Sequence, residues 1–266
     1  MEELGEKPMQ LKEALGLRNG EMVSLIGAGG KTTTLLHLAK ELRDAGGKVL
    51  VTTTTKIFKP SKPHVDRLFI VEEVDALLRE TAKLAAPLII GAGSKIDQDK
   101  LLGLPARWLD EIYTTKHFGA VLVEADGAAS RLFKVPSEFE PVVPGATGLT
   151  VWILSIKAIG KPLDATSVHR PETAAALSGA PLGTPVTEQL ILQLARHPEG
   201  CLKGIPSGGR RSAMINQADS PEEIERAKQL GKALLQLDFD RVVVNSFLDS
   251  GLSNEVISQS QIIVHQ

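Results

Sequence analysis

Two short stretches carry residue types whose spacing could do phosphate chemistry. The first is Gly27-Ala28-Gly29-Gly30-Lys31-Thr32-Thr33. Glycines accept the dihedrals that turn successive backbone N–H groups inward, and a helix beginning just beyond them adds its positive end. Lys31 would then put a point charge on terminal phosphates, and the Thr32 hydroxyl would hold the magnesium that travels with them. The second stretch is Glu124-Ala125-Asp126-Gly127, two carboxylates one residue apart at the end of an apolar run. Period two puts both on the same side of a strand. Glu124 would face the magnesium, and Asp126 would orient a nucleophile or take a proton. A glycine turn explains the first stretch alone, and a solvated Asp-Gly turn the second. The pair together is what a magnesium-dependent site for ATP or GTP requires, with Lys31, Glu124 and Asp126 as its catalytic residues.

Positioning these groups takes a strand before the loop and a helix after it. The apolar residues of 22–26 supply the strand, and apolar positions at helical spacing after Thr34 supply the helix. The usual pattern wants a glycine five places before Gly30, where Leu25 stands. The shorter Gly27-x-x-Gly30-Lys31-Thr32 resembles the loop of the Mur ligases, ATP-dependent amide-forming enzymes that also place a glutamate at the position of Glu124. A dinucleotide fingerprint fits less well. Thr32 replaces its third glycine, and the strand over 48–56 ends in threonines instead of an acid. Thr54, Thr55 and Lys56 at that strand end are candidates to face the triphosphate. A further strand from Arg211 ends in Asn216-Gln217-Ala218-Asp219, similar to the base-reading N-K-x-D of GTPases, with Gln217 in place of lysine. Asn216, Gln217 and Asp219 are therefore candidate base contacts. Ser220-Pro221-Glu222-Glu223 directly after it is a helix start, which could account for Asp219 by itself.

The rest of the chain alternates in the same way. Strands are expected over 68–71, 88–92, 148–156 and 241–246, with a last edge strand over 262–265. Helices are expected over 9–17, 72–85, 105–117, 172–177, 187–195 and 222–237. Gly91-Ala-Gly-Ser-Lys95 lacks the Gly-Lys-Thr of a second phosphate loop and is expected to be a turn. Alternation throughout predicts an α/β, three-layer α/β/α P-loop NTPase-like fold, with a mainly parallel sheet, in one domain spanning 1–266.

Composition narrows the partners. With 30 basic and 32 acidic side chains and neither sign in a long block, nothing favours nucleic acid or a membrane surface. There is no secretory pattern at the N-terminus and no run of the length needed to span a bilayer. The single cysteine, Cys201, forbids an intramolecular disulfide and fits a reducing, cytoplasmic setting as a structural residue.

Taken together, Ile26-Gly-Ala-Gly-Gly-Lys31-Thr32, Thr53-Thr-Thr-Lys56, Glu124-Ala-Asp126-Gly127, Lys134-x-Pro136 and Glu140-Pro141-Val-Val-Pro144 resemble the YqeC family. The resemblance covers nearly the whole chain. It implies an accessory or maturation role for selenium-dependent molybdenum hydroxylases, with a molybdenum hydroxylase or a molybdopterin-type cofactor as partner. On this reading Arg131, Lys134, His169 and Arg170 are candidate contacts to a second, anionic substrate such as a pterin phosphate. The expected activity is nucleoside triphosphate hydrolysis. The alternatives are a kinase or Mur-like ligase acting on a small anionic acceptor, and a nucleotide-gated binding protein that hydrolyses slowly.

Overall fold

Strands buried on both faces are apolar at nearly every position, and their alternate side chains feed two separate cores. The computed structural model, which describes residues 9–60, 62–248 and 253–258, shows this division directly. Val23 and Leu25 join Val49, Val51, Leu122, Val151 and Ile153 in one core. Met22 and Ile26 join Leu50, Val121, Val123, Trp152 and Leu154 in the other.

Helices close the two cores. On the first side lie Lys31–Asp44, through Leu35, Leu38 and Ala39, and the short helix Leu11–Ala14. On the second side lie Val74–Ala82, Ala106–Thr114, Glu188–Arg196 and Pro221–Leu234. The result is a three-layer α/β/α fold.

Nine strands make the sheet, in the order Ser253–Ser258, Arg241–Ser246, Arg210–Asn216, Leu149–Ser155, Met22–Gly27, Ala120–Glu124, Lys48–Thr53, Leu88–Gly93, Arg67–Ile70. Every neighbouring pair is parallel except the edge pair Arg241–Ser246 with Ser253–Ser258. The chain leaves Met22–Gly27 for one half of the sheet, returns to lay Ala120–Glu124 beside it, and then builds the other half. Met22–Gly27 therefore sits where the direction of winding reverses, and crevices outside the carboxyl ends of such strands are where open α/β sheets hold ligands.

Several elements differ from the sequence reading, each for a local reason. The first helix is only Leu11–Ala14, its N-terminal amides of Leu11 and Lys12 both bonded to the Glu41 carboxylate at 2.8 Å. The strand expected to run through Lys56 stops at Thr53, where Thr55 N–H turns back onto Thr53 Oγ1 at 3.0 Å. The strand expected over 88–92 runs on to Gly93, into the stretch 91–95 also expected as a turn. A Cβ on Gly93 would lie 2.4 Å from Leu101 Cδ1, so the glycine permits a hairpin to fold against the strand end. That hairpin, Lys95–Asp97 and Lys100–Leu102, joins Lys56–Phe58 in a small antiparallel sheet that the sequence did not announce. The loop after Asp126 also contains a short strand, Phe133–Lys134, parallel to Val168–His169. The strand expected over 262–265 lies outside the described residues.

Trp152 is the largest side chain among those fully buried, stacked on Phe239 with ring centroids 6.0 Å apart. Trp152→Ala leaves a cavity on one face of the central sheet and is expected to cost about 3–5 kcal/mol. Urea unfolding followed by circular dichroism reads this, and a loss below about 1 kcal/mol would contradict the packing described.

Candidate functional site

The glycine-rich loop leaves strand Met22–Gly27 and enters helix Lys31–Asp44 at Gly30. Two glycines there are dictated by space as much as by conformation. A Cβ on Gly27, at φ +94°, would lie 2.2 Å from the Ile153 carbonyl oxygen, and one on Gly30, at φ +127°, would lie 2.2 Å from Asn216 Nδ2. Only a residue without a side chain lets the loop sink this far between the neighbouring strand ends.

The loop's first three amides are already committed. Gly27 N–H donates to Asp126 Oδ2 at 3.0 Å, Ala28 N–H to the Ile153 carbonyl at 2.8 Å, and Gly29 N–H to the Arg131 carbonyl at 3.0 Å. Thr34 N–H closes the first helical turn onto Gly30. The donors that a helix N-terminus leaves over are those of Gly30, Lys31, Thr32 and Thr33. The part of the loop with amides left to offer is thus narrower than the stretch 27–33 read from sequence, with Gly27, Ala28 and Gly29 fixing its shape.

Glu124 and Asp126 stand opposite, at the end of strand Ala120–Glu124, the immediate neighbour of the loop's own strand. Thr32 Oγ1 donates to Glu124 Oε2 at 2.9 Å. Lys31 is buried, its Nζ donating to the Gly27 carbonyl at 2.6 Å and lying 3.1 Å from Asp126 Oδ1 and 3.8 Å from Glu124 Oε1. The structure therefore brings Lys31, Thr32, Glu124 and Asp126 into one cluster. Burial pushes the Glu124 carboxyl above the usual range, opposed by the Lys31 charge and the Thr32 bond.

Lys134 takes a place that the sequence reading gave to substrate. Its side chain is 1% exposed, with Nζ 3.1 Å from Asp126 Oδ2 and 2.7 Å from Glu140 Oε2, and it also donates to the Gly127 carbonyl. Arg170 Nη1 bonds the same Glu140 oxygen at 2.7 Å. Burial raises the Glu140 pKa, but the Lys134 and Arg170 interactions outweigh it and hold the carboxyl below its ordinary value. Three carboxylates, Glu124, Asp126 and Glu140, are thus interleaved with three cations, Lys31, Lys134 and Arg170. Lys134 is a buried counter-ion, and Arg170 is engaged with Glu140 at the network's outer end. His169 lines the cleft, its pKa lowered by burial and by the charges of Arg170 and Lys134.

The threonines at the end of strand Lys48–Thr53 and just after it bond neighbouring protein groups rather than an open face, with Thr55 Oγ1 3.2 Å from Thr53 Oγ1. Thr53 Oγ1 donates to the Glu124 carbonyl at 2.7 Å, and Thr54 Oγ1 to the Val142 carbonyl at 2.8 Å. Lys56 does line the cleft, paired with Asp97 at 2.6 Å.

The three residues read as base contacts separate. Asn216 Nδ2 donates to the Gly29 carbonyl at 2.7 Å, and its Oδ1 accepts from Asn245 at 2.7 Å, so its amide is a strut under the loop. Asp219 is bonded to Lys157 and Ser246, and these bonds outweigh burial and lower its pKa. Gln217, at φ +62°, bonds Ser155 and is the one of the three that borders the cleft. Cys201 is buried against the Lys134 carbonyl, with burial pushing its thiol far up.

Around the loop lies a cleft of about 620 Å³, a size suited to a nucleotide. Among the described residues no group of three or more His, Cys, Asp or Glu could hold a metal. The oxygens of Thr32 and Glu124 suit a hard cation that takes its remaining ligands from phosphate and water. No described helix is long and apolar enough to cross a membrane.

Sheet, loop and acidic strand end define an α/β protein of the P-loop-like class, with a glycine-rich strand–loop–helix at the centre of a mainly parallel sheet. Within that class the chain belongs to the YqeC family, whose model, described as YqeC protein, matches residues 23–172. It is 31% identical over 224 residues to the uncharacterized protein YqeC of Escherichia coli (strain K12), a match covering 83% of this chain and 85% of that one. Among solved structures it is similar to the apo form of a GTPase from Pyrococcus abyssi, with TM-score 0.36 and 16% identity, covering 85% of this chain and 90% of that one.

Lys134→Ala strands Asp126 and Glu140 without the cation between them. Removing one partner of a buried pair costs on the order of 3–5 kcal/mol, and urea unfolding checks it. A near-neutral change would show that Lys134 is not the network's internal counter-ion.

Proposed function

We propose that this protein binds a nucleoside triphosphate with Mg2+ in the cleft and hydrolyses it. The observation that carries this reading is the 2.9 Å bond from the Thr32 hydroxyl to the Glu124 carboxylate, set between the helix N-terminus and buried Lys31. Thr32 and Glu124 are the residues that would hold the metal. When bound, Mg2+ neutralises charge on the terminal phosphate oxygens. Backbone amides of Gly30 to Thr33 receive the phosphates at the positive end of the helix. Lys31, placed on the Gly27 carbonyl and Asp126 when no phosphate is present, shifts its ammonium to the terminal phosphates and stabilises the charge that grows there. Asp126 is left to orient the attacking group, water in the hydrolytic reading.

Charge balance supports the need for a metal. With Glu124 ionised, as a metal requires, the three acids balance the three cations of the network, so a polyanion entering beside it calls for another cation. ATP and GTP are both retained as candidates, because Asn216 and Asp219 are committed elsewhere and only Gln217 borders the cleft. A role in maturing a selenium-dependent molybdenum hydroxylase, acting in the cytoplasm on that enzyme or on a molybdopterin-type cofactor, follows from the family resemblance.

The first test measures phosphate release from ATP and GTP with Mg2+, alone and then with molybdopterin or an apo-hydroxylase. Lys31→Ala is expected to weaken nucleotide binding at least about 100-fold. Unchanged binding, in a variant shown to be folded by circular dichroism, would refute the site.

A second test uses pH. Because the folded pKa of Glu124 lies above its unfolded value, its contribution to stability is fully present below the unfolded value and is lost as pH rises through the folded one. The metal requires the carboxylate, so magnesium-supported nucleotide affinity should strengthen over the same rise. Glu124→Gln should flatten that profile, as read by calorimetric titration. An identical pH profile in the variant would remove Glu124 from the metal site.

A further inference from the structure

Part of the cleft wall comes from outside the phosphate loop and the acidic strand end. That part is the small antiparallel sheet, which grows from the ends of strands Lys48–Thr53 and Leu88–Gly93 and contributes Lys56, Phe58 and Lys100. Arg131 and His169 face the cleft from the loop and strand that follow Asp126.

Strand order fixes which end of a nucleotide this wall would meet. Glu124 ends the strand next to the loop strand on the side of the small sheet, whereas Gln217 follows Arg210–Asn216 on the opposite side. The Thr32 and Glu124 pair marks the metal-bearing, terminal-phosphate end. The nucleoside end leaves toward Gln217, and the small sheet lies beyond the terminal phosphate.

The chemistry of the wall is specific. Phe58 is 57% exposed, a large apolar ring kept in the open. The Lys100 ammonium rests 2.8 Å from its ring centroid. The lining carries Lys31, Lys56, Lys100 and Arg131 against one carboxylate, Glu124. Lys31 is answered by Asp126, and Lys56 by Asp97. Among the described residues neither Lys100 nor Arg131 has a carboxylate within ion-pair distance, the Arg131 charge acting only at longer range on Asp164. A ring face and two such cations around one space match a flat molecule with an anionic substituent, since aromatic stacking holds the ring and the cations hold the charge.

We propose that this half of the cleft is a subsite for a second small molecule, planar and anionic, seated against the terminal phosphate. The inference rests on the nucleotide reading above for the identity of its neighbour, and on Phe58, Lys100 and Arg131 for its own chemistry. It places the occupant where an acceptor or effector of the nucleotide would sit, and it replaces Lys134, which is buried, with residues that border the cleft.

The test uses the full chain and 1-naphthyl phosphate as probe, with 1-naphthol and inorganic phosphate as its two halves. Binding is followed by naphthyl fluorescence, first without nucleotide and then with saturating Mg2+ and a β,γ-imido nucleotide. The wild-type protein should bind the probe in both conditions. Phe58→Ala should weaken it about tenfold, the scale of one lost stacking contact, and Phe58→Trp should retain it. Lys100→Ala and Arg131→Ala should weaken 1-naphthyl phosphate but not 1-naphthol. Nucleotide affinity should stay within about twofold in all four variants, a margin well below one lost contact.

Absence of probe binding, equal binding by Phe58→Ala, or displacement of the probe by the nucleotide would overturn the proposal. Loss of nucleotide affinity in Phe58→Ala would also overturn it, by showing that Phe58 holds the base. If wild-type protein fails to bind nucleotide, the proposed function falls, while the nucleotide-free titration of wild type against Phe58→Ala still decides the subsite.

Discussion

The constraint on which this site depends is the burial of the Asp126 carboxylate. One oxygen accepts from Gly27 N–H at 3.0 Å and lies 3.1 Å from Lys134, and the other lies 3.1 Å from Lys31. A charge that deep cannot stand without partners. Asp126 therefore ties the start of the glycine-rich loop, the lysine that serves it and the following irregular loop to one point. Glu140 extends the same logic outward through Lys134 to Arg170 at 2.7 Å. The arrangement fixes the shape of the loop and holds its lysine on protein oxygens.

Preorganisation of this kind explains why so much polar material is buried near the loop. Asn216 and Asn245 form a strut from two strands to the Gly29 carbonyl. Thr53 and Thr54 pin the backbone on either side of Glu124 and Val142. These side chains keep the carboxylate and the hydroxyl of Thr32 in reach of each other, so little reorganisation remains when a ligand arrives. In the proposed reading the one large movement left is that of the Lys31 ammonium.

Much of the frame was legible in the sequence because it follows from periodicity. Runs such as 120–123 and 151–154 are apolar at every position, as a doubly covered parallel sheet demands. Gly27, Gly30, Lys31, Thr32 and Glu124 announced a loop and an acid by type and spacing. What stayed hidden depends on contacts between distant parts of the chain. Lys134 reads as a surface cation until the fold buries it between Asp126 and Glu140. Asp219 reads as a base contact until Lys157 and Ser246 are seen around it. Asn216 looks like a ligand group, whereas the 2.2 Å approach to a Cβ on Gly30 shows it wedged beneath the loop. The small sheet was missed because its strands are three residues each, too short for alternation to register, and because Gly91 to Gly93 suggested a turn. A signal was present in Phe58 followed later by Lys100, but nothing local says that they meet.

The most direct test of the account is a crystal structure of the protein with Mg2+ and a β,γ-imido nucleoside triphosphate. The account predicts phosphates on the amides of Gly30 to Thr33, the metal on Thr32 and Glu124, and the Lys31 ammonium moved from Asp126 to the terminal phosphates while Lys134 stays in place. A nucleotide bound elsewhere, or one bound at the loop with Lys31 still on Asp126 and no metal at Glu124, would contradict it.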